Sequence, residues 1–331
     1  MPEDKFDTYT PSSIKKKFKH NYLLHIALFI VTFITTLIAG IEWTTGKNGP
    51  YQTEDLYQGL PYALSILFIL GVHEFGHYFA SVYHKVKATL PFFIPMPPIV
   101  GLFNFGTMGA VIKTKTEIPN NKAMFDIGAA GPISGFIACV IVLIYGFTHL
   151  PGKEFLLQIH PDYFSPEYGK GAIGLEFGNS LLFVLLKNIF TNPSQFVPPM
   201  SEVYHYPYLC VGWFGLFVTA MNLIPVGQLD GGHIIYSMFN SKKHEAIASI
   251  SMIGLVVLGI LGIIESFINL EVHFGWSGWL FWAIILYFFI RIKHPPVNHF
   301  EELSTGRKIV GYLAILIFIL SFSPTPFIFS F

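Results

Sequence analysis

The sequence predicts an all-α polytopic membrane protein of about seven transmembrane helices, with a re-entrant β-hairpin beside its polar core. Three observations lead there. Of 331 residues, 52% are hydrophobic and only 12% charged, a balance foreign to a water-soluble domain of this size. Seven apolar runs, Tyr22 to Ile41, Leu60 to Tyr83, Met124 to Leu150, Tyr206 to Ile224, Ala246 to Ile268, Trp276 to Ile292 and Ile309 to Phe329, each approach the ~20 residues that a bilayer core demands. One further apolar stretch, Leu90 to Lys122, is too rich in Pro and Gly to be a helix.

The first run follows Lys15, Lys16, Lys17 and Lys19, the charge order of a signal sequence as well as of a first membrane helix. Its length, and the lack of a small-x-small cleavage site after Gly40, favour a retained helix. Glu3, Asp4 and Asp7 argue against an organelle transit peptide. Basic residues then recur at Lys85 and Lys87, at Lys242 and Lys243, and at Arg291, Lys293, Arg307 and Lys308, always on the same side of successive helices. Glu42, Glu54, Asp55 and Glu271 fall on the other side. This parity puts the N-terminus in the cytoplasm and makes the chain a multi-pass integral membrane protein, of the plasma (inner) membrane if the source is bacterial.

A formal net charge of zero and the absence of a long basic run exclude a nucleic-acid surface; the expected surroundings are membrane lipid. Cys139 and Cys210 both lie in apolar stretches and read as buried, inert thiols.

Leu90 to Lys122 reads as a hairpin in its second half, with Leu102 to Phe105 and Ala110 to Thr114 as strands about a turn at Gly106 to Gly109. Backbone of this kind at membrane depth must lie against protein or a watery cavity, because its N–H and C=O groups cannot face lipid. The loop from Pro151 to His205 contains one interfacial segment, Leu181 to Phe190. The expected organisation is therefore a cytoplasmic N-terminus with the first helix over 1–59 and a membrane core over 60–240. That core contains the hairpin at about 90–122 and an exterior loop at about 151–205, and three more helices follow over 241–331.

Inside the second run stands His73-Glu74-Phe75-Gly76-His77. Residues four apart share a helix face, so both imidazoles reach one ion, and Glu74 falls beside the water that such an ion activates. The pattern arises by chance in many chains, but ionisable side chains in a bilayer helix each cost roughly 2.5 kcal/mol or more, and three stand here within five residues. The plainer reading is a polar helix face or a proton relay. A catalytic zinc takes three protein ligands and keeps one position open. The third is expected from the string Asn222 to His233, where Pro225, Gly227, Gly231 and Gly232 let the backbone unwind around Asp230. Asp230 also reads as a helix N-cap, a compatible role, and His233 is a rival ligand. At 1.5 Å per residue His73 lies ~20 Å from the end of its helix at Leu60, and Asp230 follows a helix running the same way, so the groups share a depth.

One zinc ion per chain on His73, His77 and Asp230, with Glu74 as general base, gives peptide hydrolysis. Asn222 reads either as a donor to substrate or oxyanion or as a clamp between helices. The hairpin residues Gly109, Ala110 and Val111 offer an edge to which an unwound strand of a transmembrane protein substrate can pair. Gly131-Pro132-Ile133-Ser134-Gly135, preceded by Gly128, is a small-x-x-x-small stripe for close helix packing.

HEFGH, the Asn222 to Gly231 string, and the FGTMGAVIKTK and AAGPISGF segments between them resemble the site-2 protease family of intramembrane zinc metalloproteases over Ser65 to Tyr236. The resemblance implies a three-helix catalytic core with added helices, zinc on His73, His77 and Asp230, the base at Glu74, and single-pass membrane proteins as substrates. The PFFIP segment is most similar to the branch without a PDZ domain, and no PDZ-sized insertion is present. The helices before Leu60 and after Ile268 carry no family signature, and Arg291 to Val297 has no reading from sequence.

Three alternatives compete. Membrane prenyl-protein proteases share HExxH but take a Glu from a second box not found here. A metal or proton transporter would use the same intramembrane residues as a relay. A di-iron hydroxylase needs several histidine boxes, and beyond HEFGH only scattered His84, His205, His233, His294 and His299 occur.

Overall fold

In the computed structural model the described residues are 21–97, 104–169, 174–192, 194–268 and 273–330. The basic cluster Lys15 to Lys19, the acidic residues before it, and Glu271 lie outside them. Four helices are long and apolar enough to cross a membrane: α1 (Tyr22–Thr45), α2 (Thr53–Tyr83), α3 (Asn121–Thr148) and α7 (Asp230–Ile268). Between α3 and α7 come the short α4 (Lys153–Ile159), α5 (Leu181–Phe190) and the 17-residue α6 (Pro207–Leu223). After them come α8 (Gly278–Ile285), extended by a π-helical turn over Leu286–Ile290, and the 17-residue α9 (Thr305–Ser321). The expected helices are thus present, but α6, α8 and α9 are shorter than the runs that suggested them.

Local chemistry sets the boundaries. A reciprocal capping box between Gln52 and Asp55 starts α2 well before Leu60. Asn120 Oδ1 accepts from the Ala123 amide at 2.9 Å and starts α3. Pro225 stops α6, and Asp230 opens α7 after a six-residue gap turned at Gly227 (φ +53°). Helix α7 begins much earlier than Ala246 and is broken at Asn240 (φ 73°, ψ 175°). Pro324 and Pro326 cannot continue α9, so the last residues form a strand instead of the expected helix to Phe329.

Helices α2, α3 and α6 pack together around Tyr62, Leu143, Phe147, Leu209 and Trp213. Cys139 and Cys210 are buried there as free thiols. Around this core, large apolar side chains such as Leu23, Phe79 and Ile253 stand exposed, 78%, 64% and 64% respectively, as a lipid-facing surface requires.

Two small antiparallel sheets complete the fold. Strand β1 (Phe92–Pro95) pairs with β2 (Thr107–Val111) in the register Phe92 with Val111 and Phe93 with Ala110. The hairpin is therefore present, but its first strand is the PFFIP segment and not Leu102 to Phe105. Residues 102 and 103 of that expected strand lie outside the described set, and Asn104 and Phe105 are not in a strand. Their carbonyls are committed elsewhere: Trp43 Nε1 donates to Asn104 O at 2.7 Å and Tyr62 Oη to Phe105 O at 3.2 Å. The expected turn at Gly106 to Gly109 is already strand from Thr107 onward. Helix α1 holds the hairpin, with Thr35 Oγ1 donating to Gly106 O at 2.6 Å and His25 Nδ1 to Pro91 O at 3.0 Å. Gly106 has φ +73°, and a Cβ there would meet Thr36 Cα at 2.4 Å, so only glycine fits. Strand β3 (Gly174–Phe177) pairs with the C-terminal β4 (Phe327–Ser330), a contact that ties the 151–205 loop to the chain end.

Candidate metal centre

His73 and His77 project from one face of α2, their rings 4.8 Å apart and edge to face. Their Nε2 atoms are 3.1 Å apart. Asp230, the first residue of α7, brings Oδ2 to 3.3 Å from His77 Nε2 and 3.6 Å from His73 Nε2. Donors on a tetrahedral ion with bonds near 2.0–2.1 Å stand about 3.3 Å apart, so these three can share one ion and leave a fourth position open. Two imidazoles and a carboxylate are nitrogen and oxygen donors of the kind zinc accepts. The His77 Nδ1–H donates to Ile127 O at 2.7 Å, which fixes the tautomer and turns the Nε2 lone pair toward Asp230 and His73. Glu74 is buried with them, its Oε1 4.0 Å from His73 Nε2.

Helix α3 shapes the centre. A Cβ on Gly131 would lie 2.1 Å from His77 Nε2, and one on Gly135 would lie 3.0 Å from His73 Nδ1. The small-residue stripe does admit a neighbouring helix, as expected, and it does so where the two imidazoles sit. Ser134 Oγ donates to Val72 O at 2.9 Å and locks α3 against the turn that carries His73. Pro132 disturbs the hydrogen-bond ladder of α3 in the same region that lends the Ile127 carbonyl to His77.

The loop before Asp230 is held from the C-terminal side. Gly227 packs against the backbone at Arg291, where a Cβ would lie 2.0 Å from Arg291 O. Its amide donates to Ile292 O at 3.3 Å. His294 donates from Nδ1 to Pro295 O at 2.6 Å, so its Nε2 accepts from His233 Nδ1 at 2.8 Å. His233, the rival ligand, is thus turned to His294 and stands outside the three-donor group. The segment Arg291 to Val297 braces the aspartate loop. No motif marks it in the sequence; the nearest signal is a histidine at 294 in a short stretch between two helical runs.

A cavity of about 420 Å³ opens on this centre, lined by His73, Glu74, His77, Asp230, Asn222 and the hairpin residues Ala110, Val111 and Ile112. Asn222 Nδ2 is 3.5 Å from His73 Nε2, near enough to face the same space. Gly109 belongs to β2 but is not among the lining residues. The bonds from Thr89 N to Lys113 O (3.0 Å) and from Lys115 N to Lys87 O (2.7 Å) face the partner strand. By antiparallel alternation the amides of Ile112 and, one repeat back, Ala110 face the other edge; the Ile112 amide donates to the Glu74 carboxylate there, and no described strand covers Ala110.

Fold and centre together define a class: a helical membrane protein built around a buried site of two histidines and one aspartate. The chain belongs to peptidase family M50, whose family model matches residues 61–261 and so spans most of α2 to the last two turns of α7. It is 27% identical over 311 residues to a rice (Oryza sativa subsp. indica) protein named probable zinc metalloprotease EGY2, chloroplastic. That alignment covers 91% of this chain and 49% of the relative. It is 28% identical over 327 residues to probable zinc metalloprotease EGY1, chloroplastic, of Arabidopsis thaliana, covering 92% of this chain and 53% of the relative. The chain thus spans about half the length of the curated relatives it matches. No solved structure matches it significantly.

Proposed function

We propose that this chain is an intramembrane zinc metalloprotease that hydrolyses peptide bonds of transmembrane protein substrates. The observation that carries the reading is the convergence of two Nε2 atoms and one carboxylate oxygen, 3.1 to 3.6 Å apart, beside a buried glutamate inside an apolar helical bundle. The family supports it, and so do the names of the relatives.

In this reading His73, His77 and Asp230 hold one zinc ion, which when bound polarises a carbonyl and acidifies water. Glu74 takes the proton from the attacking water and returns it to the leaving amide nitrogen. Asn222 Nδ2, at the rim of the cavity, donates to the developing oxyanion. A substrate helix hides its amides in its own hydrogen bonds. The edge of β2 at Ala110, which no described strand covers, gives an unwound segment a strand to pair with, which exposes the bond to be cut. Gly109 contributes through its backbone conformation, φ +102°, which aims that edge.

The bilayer placement that goes with this reading has α6, α8 and α9 completing seven spans, the N-terminus in the cytoplasm and the hairpin re-entrant. The units are 1–59, a catalytic core over 60–240 and helices over 241–331. Membrane proteomes of cells carrying wild type or Glu74→Gln test the function. Wild type yields fragments of one or more membrane proteins that vanish with Glu74→Gln, whereas identical fragment sets from two equally expressed proteins contradict it.

A further inference from the structure

A second set of nitrogen and oxygen donors converges far from the first centre. His160, which follows α4, and His205, which closes a 3-10 turn over Val203–His205 ahead of α6, bring their Nε2 atoms to 3.0 Å. Glu202 places Oε2 3.8 Å from each of them. His205 is bonded to the carbonyls of Trp43 and Thr44 at the end of α1, next to the start of α2. His73 lies 20 residues further along α2, about 30 Å along the helix axis.

We propose that His160, Glu202 and His205 form a second divalent-metal site, of the zinc class, which fastens the 151–205 loop to the end of α1. The spacings of 3.0, 3.8 and 3.8 Å lie within half an ångström of the 3.1, 3.3 and 3.6 Å at the first centre. A common ion needs edges of about 3.3 Å, so small side-chain shifts suffice. The supporting hydrogen bonds also match. His205 Nδ1 donates to Trp43 O at 2.8 Å, as His77 Nδ1 donates to Ile127 O at 2.7 Å, and in both cases Nε2 is left with its lone pair toward the other donors.

The carboxylate adds an independent indication. The Glu202 side chain is 3% exposed, Oε1 accepts from Tyr168 Oη at 3.0 Å, and Oε2 has no hydrogen-bond partner among the described residues. A buried carboxylate oxygen with no hydrogen-bond partner beside two imidazole Nε2 atoms is costly without a cation between them. An ion satisfies all three donors at once. His160, 30% exposed, leaves the side from which an ion enters and where water completes the coordination. Occupancy would join α4, the turn before α6 and the end of α1, the helix that carries the β1–β2 hairpin.

Zinc counting on the full-length protein in detergent, stripped with chelator and dialysed against micromolar Zn²⁺, tests this. Wild type should hold two equivalents, His160→Ala one, His73→Ala with His77→Ala one, and the triple variant none. Glu202→Gln, which keeps the side-chain volume, should match His160→Ala. The inference is overturned if a monodisperse His73→Ala, His77→Ala protein holds no zinc, or if His160→Ala and Glu202→Gln both keep two equivalents. A wild type with one equivalent that persists in the His73→Ala, His77→Ala variant and disappears with His160→Ala would support the second site while contradicting the first.

Discussion

Glu74 is the one ionisable side chain of the HEFGH segment outside the three-donor group formed by both imidazoles and Asp230, and its carboxylate accepts from the Ile112 amide. Replacing it by Gln keeps size and hydrogen-bonding capacity while removing the proposed base. Cleavage should fall about 10²–10⁴-fold with zinc content unchanged, as measured by metal analysis and substrate cleavage on one preparation. Gly131 makes a sharper claim, because a methyl group there would overlap His77 Nε2 at 2.1 Å. Gly131→Ala should weaken zinc binding about 10–100-fold in a competition titration, although the residue ligates nothing. His73, His77 and Asp230 were legible because helical spacing and a glycine-rich helix break state a geometry. The task of Gly131 was legible only as close packing: the stripe says that a helix comes near, not that the His77 ring fills the gap. His294 was not legible, since its effect comes through a hydrogen bond to His233 across 61 residues of chain.

The β1–β2 hairpin is a separate device, carried by α1 and aimed at the cavity. Gly106→Ala forces a side chain into α1 at a positive φ and should lower unfolding free energy by about 1–3 kcal/mol, measured by denaturation in detergent. Cleavage should fall with it. Ala110→Pro removes one amide from the uncovered edge of β2 and should cut cleavage at least about tenfold while zinc stays bound; unchanged turnover would remove strand pairing from the account. Proline and glycine content announced non-helical backbone here. The choice of first strand failed for a tertiary reason, because α1 and α2 claim the carbonyls of Asn104 and Phe105 and leave PFFIP as the partner. The same cause hid β4, whose partner β3 lies about 150 residues away.

Across the whole molecule, the family-matched helices carry His73, His77 and Asp230, the proposed zinc ligands, and the flanking parts hold them in place. Asp126 shows the scheme: Arg307 at the start of α9 grips it with two bonds of 2.8 and 2.7 Å while His84 beyond α2 reaches it at 2.8 Å. Asn121 likewise binds the 301 backbone through both its donor and its acceptor, at 2.8 Å each. Hydropathy and loop charge made the long helices legible. They could not show that α6, α8 and α9 are short, because Pro225, the non-helical backbone at Arg291 (φ +65°) and the Pro324 to Pro326 turn end runs that look continuous by hydrophobicity alone. The central claim is that one zinc on His73, His77 and Asp230 enables cleavage, and chelation followed by stepwise zinc return tests it most directly. With His160→Ala as the background, cleavage of a membrane substrate should vanish on complete zinc removal and recover in proportion up to one equivalent. A protein that still cleaves at full rate with no metal bound would contradict it.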